Sequence, residues 1–265
     1  MNNRFFAFGC SYTKWIWPTW ADCIGINFSK YYNCGRGGAS NSFIMQKLIE
    51  TDNQYNFNET DYVVIMLTGV DRFSFYHDQE WRTFGEISSY ATWDTNTDNT
   101  YSKKLKSFVT ELWNPDWAIY NTWISAITIK NFLIAKNIPH KILLALDIDQ
   151  WIEKSELLGV ANSSSNLKIT EVIRLLDNKE SFQLFCRKTD PRQSKKITFN
   201  DGRYDSHPSM YMQYNYAKQN FADLITETTD KFINSMTERF DFSSSDAQSK
   251  AFEKSLLAYT HIQRI

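Results

Sequence analysis

Cysteine is scarce and unpatterned in this 265-residue chain: Cys10, Cys23, Cys34 and Cys186 form no Cys-x-x-Cys pair and no Cys/His spacing. A zinc finger or ribbon is therefore excluded, and a chain of this length does not need a disulfide framework to hold its core. The expectation is no metal and no cofactor. No apolar run approaches the roughly 18 residues of a membrane span. The opening Met-Asn-Asn-Arg, followed directly by apolar residues, lacks the form of a secretory leader. The expectation from both is a cytoplasmic protein with no membrane partner. Charge of neither sign is in excess: 29 basic against 30 acidic residues leave a net charge of −1, so no global field draws the chain to nucleic acid. Internal repeats and sustained heptads are missing too, which argues against solenoids and long coiled coils.

Aromatic residues, by contrast, are abundant at 16%, nine of them Trp, a surplus that often lines ligand grooves or interfaces. With 42% hydrophobic and 22% charged residues the chain otherwise has the make-up of an ordinary soluble globular protein. Its first clear element is the apolar run Phe5-Phe6-Ala7-Phe8, whose lack of alternation predicts a strand covered on both faces. The run stops at Gly9, so Ser11 sits where a buried strand leaves a sheet. In open α/β sheets ligands bind in the crevice beyond the carboxyl ends of the strands. A serine there is either a helix N-cap or a nucleophile awaiting a base.

Further along, Tyr31-Tyr32-Asn33 reads as a short strand entering Cys34–Asn41, which holds three of the nine glycines. The segment matches neither a dinucleotide fingerprint nor a P-loop. It is either a flexible turn or a set of backbone N–H groups turned toward an oxyanion. Helical periodicity follows to about Tyr55. Asp61–Leu67 is the plainest strand, ending at Thr68-Gly69-Val70-Asp71-Arg72. Residues 73–115 are polar and rich in aromatics, Trp81 and Trp93 among them, and read as an insertion. They make either a wall of a binding site or a satellite core. A helix is expected over 116–137 and a strand over 140–147. A second insertion with one or two helices covers 150–200, one long helix runs from Tyr211 to about Met236, and a helical tail occupies 241–265. Alternating strands and helices predict an α/β domain over 1–240 with a mainly parallel sheet of about five strands.

Of four histidines, His207 alone lies in a loop beside an acid and ahead of a long helical stretch, in Asp205-Ser206-His207-Pro208. An Asp two residues before a His can brace one imidazole nitrogen while the other faces a hydroxyl.

Taken together, these blocks resemble the SGNH (GDSL-type) hydrolase superfamily. Gly9-Cys10-Ser11-Tyr12-Thr13 is similar to its nucleophile block, with Cys10 where Asp is usual. Asn33 through Gly38 resembles the second block, and Asp205–Pro208 a shortened last block. Gly69-Val70-Asp71-Arg72 stands where Gly-x-Asn-Asp is usual, with Asp71 or a neighbour in place of the donor Asn. The resemblance implies a flavodoxin-like three-layer α/β/α sandwich and a serine esterase or acylhydrolase. Ser11, His207 and Asp205 would form its triad, and the N–H groups of Ser11 and Gly38, with Asp71 or Arg72, its oxyanion hole. It implies a small-molecule or glycan ester as substrate. The aromatic insertion points to an O-acetyl group on a carbohydrate, with Trp81 and Trp93 against the sugar. The alternative is a non-catalytic binding or structural protein that keeps the fold.

Overall fold

The computed structural model describes residues 4–86, 107–108, 111, 113–147, 163–189, 197–240, 243–256 and 262–263. In chain order its first half comprises β1 (Arg4–Phe8), α1 (Trp20–Gly25), β2 (Lys30–Asn33), α2 (Asn41–Tyr55), β3 (Asp61–Leu67), β4 (Arg72–His77) and β5 (Glu80–Glu86). Then follow α3 (Pro115–Ala135), β6 (His140–Leu144), α4 (Ser163–Leu175), α5 (Phe182–Thr189), β7 (Ile197–Thr198), β8 (Tyr204–Asp205), α6 (Met210–Asn220), α7 (Glu227–Glu238), α8 (Ser245–Leu256) and β9 (Ile262–Gln263).

The central sheet runs β6-β3-β1-β2-β9 and every pairing in it is parallel. Helices α1, α6 and α7 pack together, as do α2, α3 and α4. The protein is thus an α/β sandwich with a flavodoxin-like sheet flanked by helices. Covering on both faces explains why β1 has no polar alternation: Phe5, Phe6, Ala7 and Phe8 are all fully buried. Phe6 stacks on Tyr32 at 4.6 Å and Phe5 on Tyr31 at 5.3 Å, so neighbouring strands also lock through their rings. At the amino ends, the Arg4 guanidinium donates from Nε (2.7 Å) and Nη2 (2.6 Å) to the fully buried Asp61, tying β1 to β3.

The order of the strands fixes where a ligand can reach the chain. Since β1 lies between β2 and β3, the chain leaves β1 toward one side and returns to the other, so the topological switch point is at the carboxyl ends of β1 and β3. Ser11 follows the first of these ends and Asp71 the second.

Several boundaries differ from the sequence expectation. The long helix expected from Tyr211 to Met236 is two helices separated by a 3₁₀ turn over Ala222–Leu224. Phe221 leaves the helical region at φ −143°, ψ 42°. It is buried and stacks on Trp20 at 5.9 Å. The Asn27 amide fastens the turn by donating to the Leu224 carbonyl (2.9 Å) and to Thr229 Oγ1 (2.7 Å). No proline or glycine marks this break; a packing contact makes it. The strand expected to Asp147 ends at Leu144, and the final helix ends at Leu256. Beyond it, Ile262–Gln263 adds a strand beside β2. The start of the aromatic segment, expected only as an insertion, is a β-hairpin, β4 with β5.

Candidate active site

The turn after β1 is built by close approach. A Cβ on Gly9 would lie 2.1 Å from Thr13 Oγ1, so only glycine lets the chain fold back on itself there. The N–H groups of Thr13 and Lys14 donate to the Cys10 carbonyl at 2.9 and 3.2 Å, closing the turn around Ser11. Ser11 is not a helix cap. The first helix begins at Trp20 and its N-cap is Thr19. Thr19 Oγ1 donates to the Thr13 carbonyl (2.6 Å), and the Thr19 N–H donates to the buried Asp22 carboxylate (2.8 Å). Asn33 at the end of β2 also donates to the Thr13 carbonyl, at 2.9 Å. The Ser11 loop is therefore held from α1 on one side and β2 on the other.

The glycine-rich loop runs alongside it. Cys34 N–H reaches the Ala7 carbonyl (2.8 Å) and Arg36 N–H the Gly9 carbonyl (3.0 Å), which continues the β1–β2 pairing past both strand ends. Gly38 has a φ of +73°, the left-handed region that favours glycine. Asn41, also buried, clamps the end of this loop to β3: its amide donates to the Thr68 carbonyl (3.0 Å) and its carbonyl accepts from Thr68 N–H (2.8 Å). The β4–β5 hairpin lies across the loop. Thr83 Oγ1 donates to the Gly37 carbonyl (2.8 Å), Arg36 donates to the Trp81 carbonyl (2.5 Å), and Ser40 N–H donates to Ser74 Oγ (3.1 Å).

The Asp-x-His loop presents a formed dyad. Asp205 Oδ1 lies 2.7 Å from His207 Nδ1 and also accepts the His207 backbone N–H at 2.8 Å. Its other oxygen, Oδ2, accepts the Trp15 indole N–H at 3.1 Å. Trp15 also stacks on the imidazole, with ring centroids 3.6 Å apart and an interplanar angle of 28°. Tyr12 meets the same imidazole edge-on at 5.7 Å. Trp17 donates from its indole to the Pro208 carbonyl (3.0 Å). Three side chains of the segment that carries Ser11 thus hold the segment that carries His207. Burial acts to raise the Asp205 pKa. The hydrogen bonds from the His207 ring and backbone, with a smaller one from Trp15, outweigh it and hold the carboxyl below the ordinary value.

The residues singled out in the sequence are placed as follows. Ser11 is buried, and the Asp205–His207 pair packs against its neighbour Tyr12; among the described residues no hydrogen bond joins Ser11 to His207. Gly38 lies under β5, within contact range of Phe84 and Gly85. Asp71 is 1% exposed in the turn after β3, and Arg72 opens β4 with a buried Nε that has no hydrogen-bond partner among the described residues. Trp81 packs edge-on against Phe43 at 5.2 Å, beside the glycine-rich loop. Trp93 lies outside the described residues. Phe73, Phe75 and Phe84 form a satellite core with Phe108 and Trp113, whereas Trp81 borders a cleft. Trp15 and Asn41 escaped the sequence reading, because their partners lie far along the chain.

Among the described residues no group of three or more His, Cys, Asp or Glu side chains could hold a metal ion. None of the described helices is long and apolar enough to cross a membrane.

No protein-family model matches the chain, and neither does any curated protein. Among solved structures, a member of the lipolytic protein G-D-S-L family from Veillonella parvula is similar at 13% identity. The match has a TM-score of 0.43 and covers 83% of this chain and 98% of that one.

Proposed function

We propose that this protein is a serine hydrolase of SGNH type that cleaves carboxylic esters. The observation that carries the reading is the Asp205–His207 pair, seated by Trp15 and Tyr12 against the turn that holds Ser11 at the switch point of the sheet. A carboxylate on Nδ1 fixes the tautomer in which Nε2 is the base. In the mechanism, His207 takes the Ser11 hydroxyl proton as Oγ attacks the ester carbonyl. The N–H groups of Ser11 and Gly38 stabilise the tetrahedral oxyanion. His207 then passes the proton to the departing alkoxide, and the C–O bond breaks to leave an acyl-Ser11. Water, deprotonated by His207, attacks that acyl group; the carboxylic acid leaves and Ser11 regains its proton. The hydrogen bond between nucleophile and base is often long or unaligned before substrate binds and tightens in the Michaelis complex. An O-acetyl ester on a carbohydrate suits the aromatic hairpin, since Trp81 beside the glycine-rich loop offers a ring face to a sugar.

A fluorophosphonate probe tests the assignment. It is expected to label the wild type at Ser11, to leave Ser11→Ala unlabelled and to label His207→Ala far more slowly, with p-nitrophenyl acetate hydrolysis following the same order. Labelling that persists in Ser11→Ala would overturn the choice of nucleophile. A second reading, a binding protein that keeps the fold, is favoured by one observation: the buried Asp71 stands where the related enzymes have a hydrogen-bond donor, and an ionised carboxylate only accepts. Absence of both labelling and hydrolysis in folded wild type would decide for it.

A further inference from the structure

Beside the two loops of the candidate site is a cleft of about 270 Å³ whose cationic side chains the hydrolase reading leaves unused. Its lining includes three cationic side chains, Lys14, Arg36 and Lys47, together with Cys34, Phe43 and Trp81, and among the described residues no carboxylate. In a chain of net charge −1 this is a local concentration of positive charge. The cations come from three separate segments: the turn after β1, the glycine-rich loop and the middle of α2.

Arg36 is pinned where it stands. Its backbone N–H donates to the Gly9 carbonyl (3.0 Å), one guanidinium nitrogen donates to the Trp81 carbonyl (2.5 Å), and the guanidinium carbon sits 5.8 Å from the centre of the Phe43 ring. A guanidinium has five N–H donors, so most of its capacity remains after the Trp81 contact. Among the described residues neither Arg36 nor Lys47 forms an ion pair. Lys47 and Lys14 line the cleft with Cys34: burial pushes that thiol up to about 12, against a downward pull from Lys47, the Thr51 hydroxyl and Lys14. The nearest acid on α2 is Glu50, which borders the adjoining depression with Arg36 and Trp81 and accepts the Trp81 indole N–H at 3.4 Å. Glu80 borders that depression too and pairs with Arg82 at 3.3 Å; among the described residues neither carboxylate forms an ion pair with Arg36 or Lys47. Like charges gathered in this way repel one another, and an anion seated among them relieves the repulsion.

The cleft also adjoins the chemistry. A Cβ on Gly35 would lie 2.8 Å from Lys14 Cβ and 3.0 Å from Thr13 Cβ, so glycine lets the loop rest directly on the turn that carries Ser11. Lys14 stands three residues after Ser11, and Arg36 two before Gly38.

We propose that this cleft binds an oxyanion group, phosphate or carboxylate, carried by the substrate away from its scissile ester, so that the enzyme acts on anionic esters. Arg36 supplies planar N–H donors, Lys47 and Lys14 supply point charges, and Phe43 and Trp81 meet the apolar or ring part to which the anion is attached. The substrate assignment rests on Ser11 being the nucleophile; the anion site itself does not.

Calorimetric titration with phenyl phosphate, benzoate and neutral benzyl alcohol tests it. Wild type and Ser11→Ala are expected to bind phenyl phosphate saturably and alike, more weakly at about 0.15 M ionic strength than at low salt, and not to bind benzyl alcohol. Lys47→Met, at a half-buried helix position that tolerates a straight apolar chain, is expected to weaken binding about tenfold, the weight of one charge-assisted contact. Arg36→Met is expected to weaken it at least as much, and Lys231→Met, an exposed lysine on α7, to change nothing. Thermal unfolding confirms that each variant folds. Tighter binding of benzoate than of phenyl phosphate would assign the site to carboxylates, and the reverse to phosphates. No saturable binding of either anion, or an equal loss in Lys231→Met and Lys47→Met, would overturn the anion site. Lys47-dependent binding in a protein whose Ser11 is never labelled would keep the anion site and overturn the substrate assignment together with the hydrolase reading.

Discussion

Trp15→Phe isolates a single hydrogen bond at the heart of the candidate site. The substitution keeps an aromatic ring to stack on His207 but removes the indole N–H that reaches Asp205 Oδ2 at 3.1 Å. A hydrogen bond to a charged group contributes about 1.5–3 kcal/mol. The Asp205 side chain is 11% exposed, so water can replace part of the lost bond, and about 1–1.5 kcal/mol is the expected loss of stability at neutral pH. The sign of its pH dependence follows from the carboxyl. Asp205 is held below its ordinary pKa, so its contribution is present above the unfolded value near about 3.9 and is lost as pH falls through the folded one. Urea unfolding of wild type and Trp15→Phe is therefore expected to show a constant difference above about pH 5 that shrinks below about pH 4. In turnover of a small ester, kcat is expected to fall about tenfold, equivalent to about 1.4 kcal/mol, because Asp205 holds the His207 ring less firmly, while KM changes little. A stability difference as large in acid as at pH 7 would show that the indole does not bind an ionised carboxylate and would refute the reasoning. A KM effect larger than the kcat effect would show that Trp15 contacts substrate and does not position the base.

Arg4→Met strands the fully buried Asp61 without its cation, and urea unfolding is expected to register a loss of about 3–5 kcal/mol; a loss under about 1 kcal/mol would place the pair among surface ion pairs. Gly38→Ala puts a side chain at φ +73° and a Cβ 3.2 Å from the Gly85 nitrogen, so it is expected to cost about 1–2 kcal/mol of stability and to lower kcat by displacing the N–H beside it. At the end of the turn after β3, Asp71→Asn is expected to raise kcat on a reactive ester by up to about tenfold, since it exchanges an acceptor for a donor, whereas Arg72→Ala lowers it. A fall in Asp71→Asn, with the fold intact, would assign the carboxylate a part in turnover.

The elements legible in the sequence are those whose signal is local and strong. Phe5–Phe8 and Val63–Leu67 declare buried parallel strands, because covering on both faces removes every polar residue from the run. Asp205 and His207 could be paired on paper because two residues of separation lets a side chain reach its neighbour's ring, and their 2.7 Å contact is of that kind. Ser11 could be placed at a strand end for a similar reason: the apolar run stops at Gly9.

The tertiary structure alone decided the rest. Trp15 meets Asp205 across 190 residues, and Trp17 meets Pro208 across 191, distances over which no pattern in the chain carries information. The break between α6 and α7 comes from Phe221 packing on Trp20 and from Asn27 holding Leu224, not from any helix breaker. Ile262–Gln263 is too short for a period and becomes a strand only because the edge of β2 is there to pair with it. Lys14, Arg36 and Lys47 are unremarkable surface residues in the sequence. They share one cleft because the parallel sheet brings the ends of β1 and β2 together and α2 folds back beside them. A periodic pattern reports the one face an element buries, whereas a site gathers single side chains from several elements, and only the folded chain brings them within reach of one another.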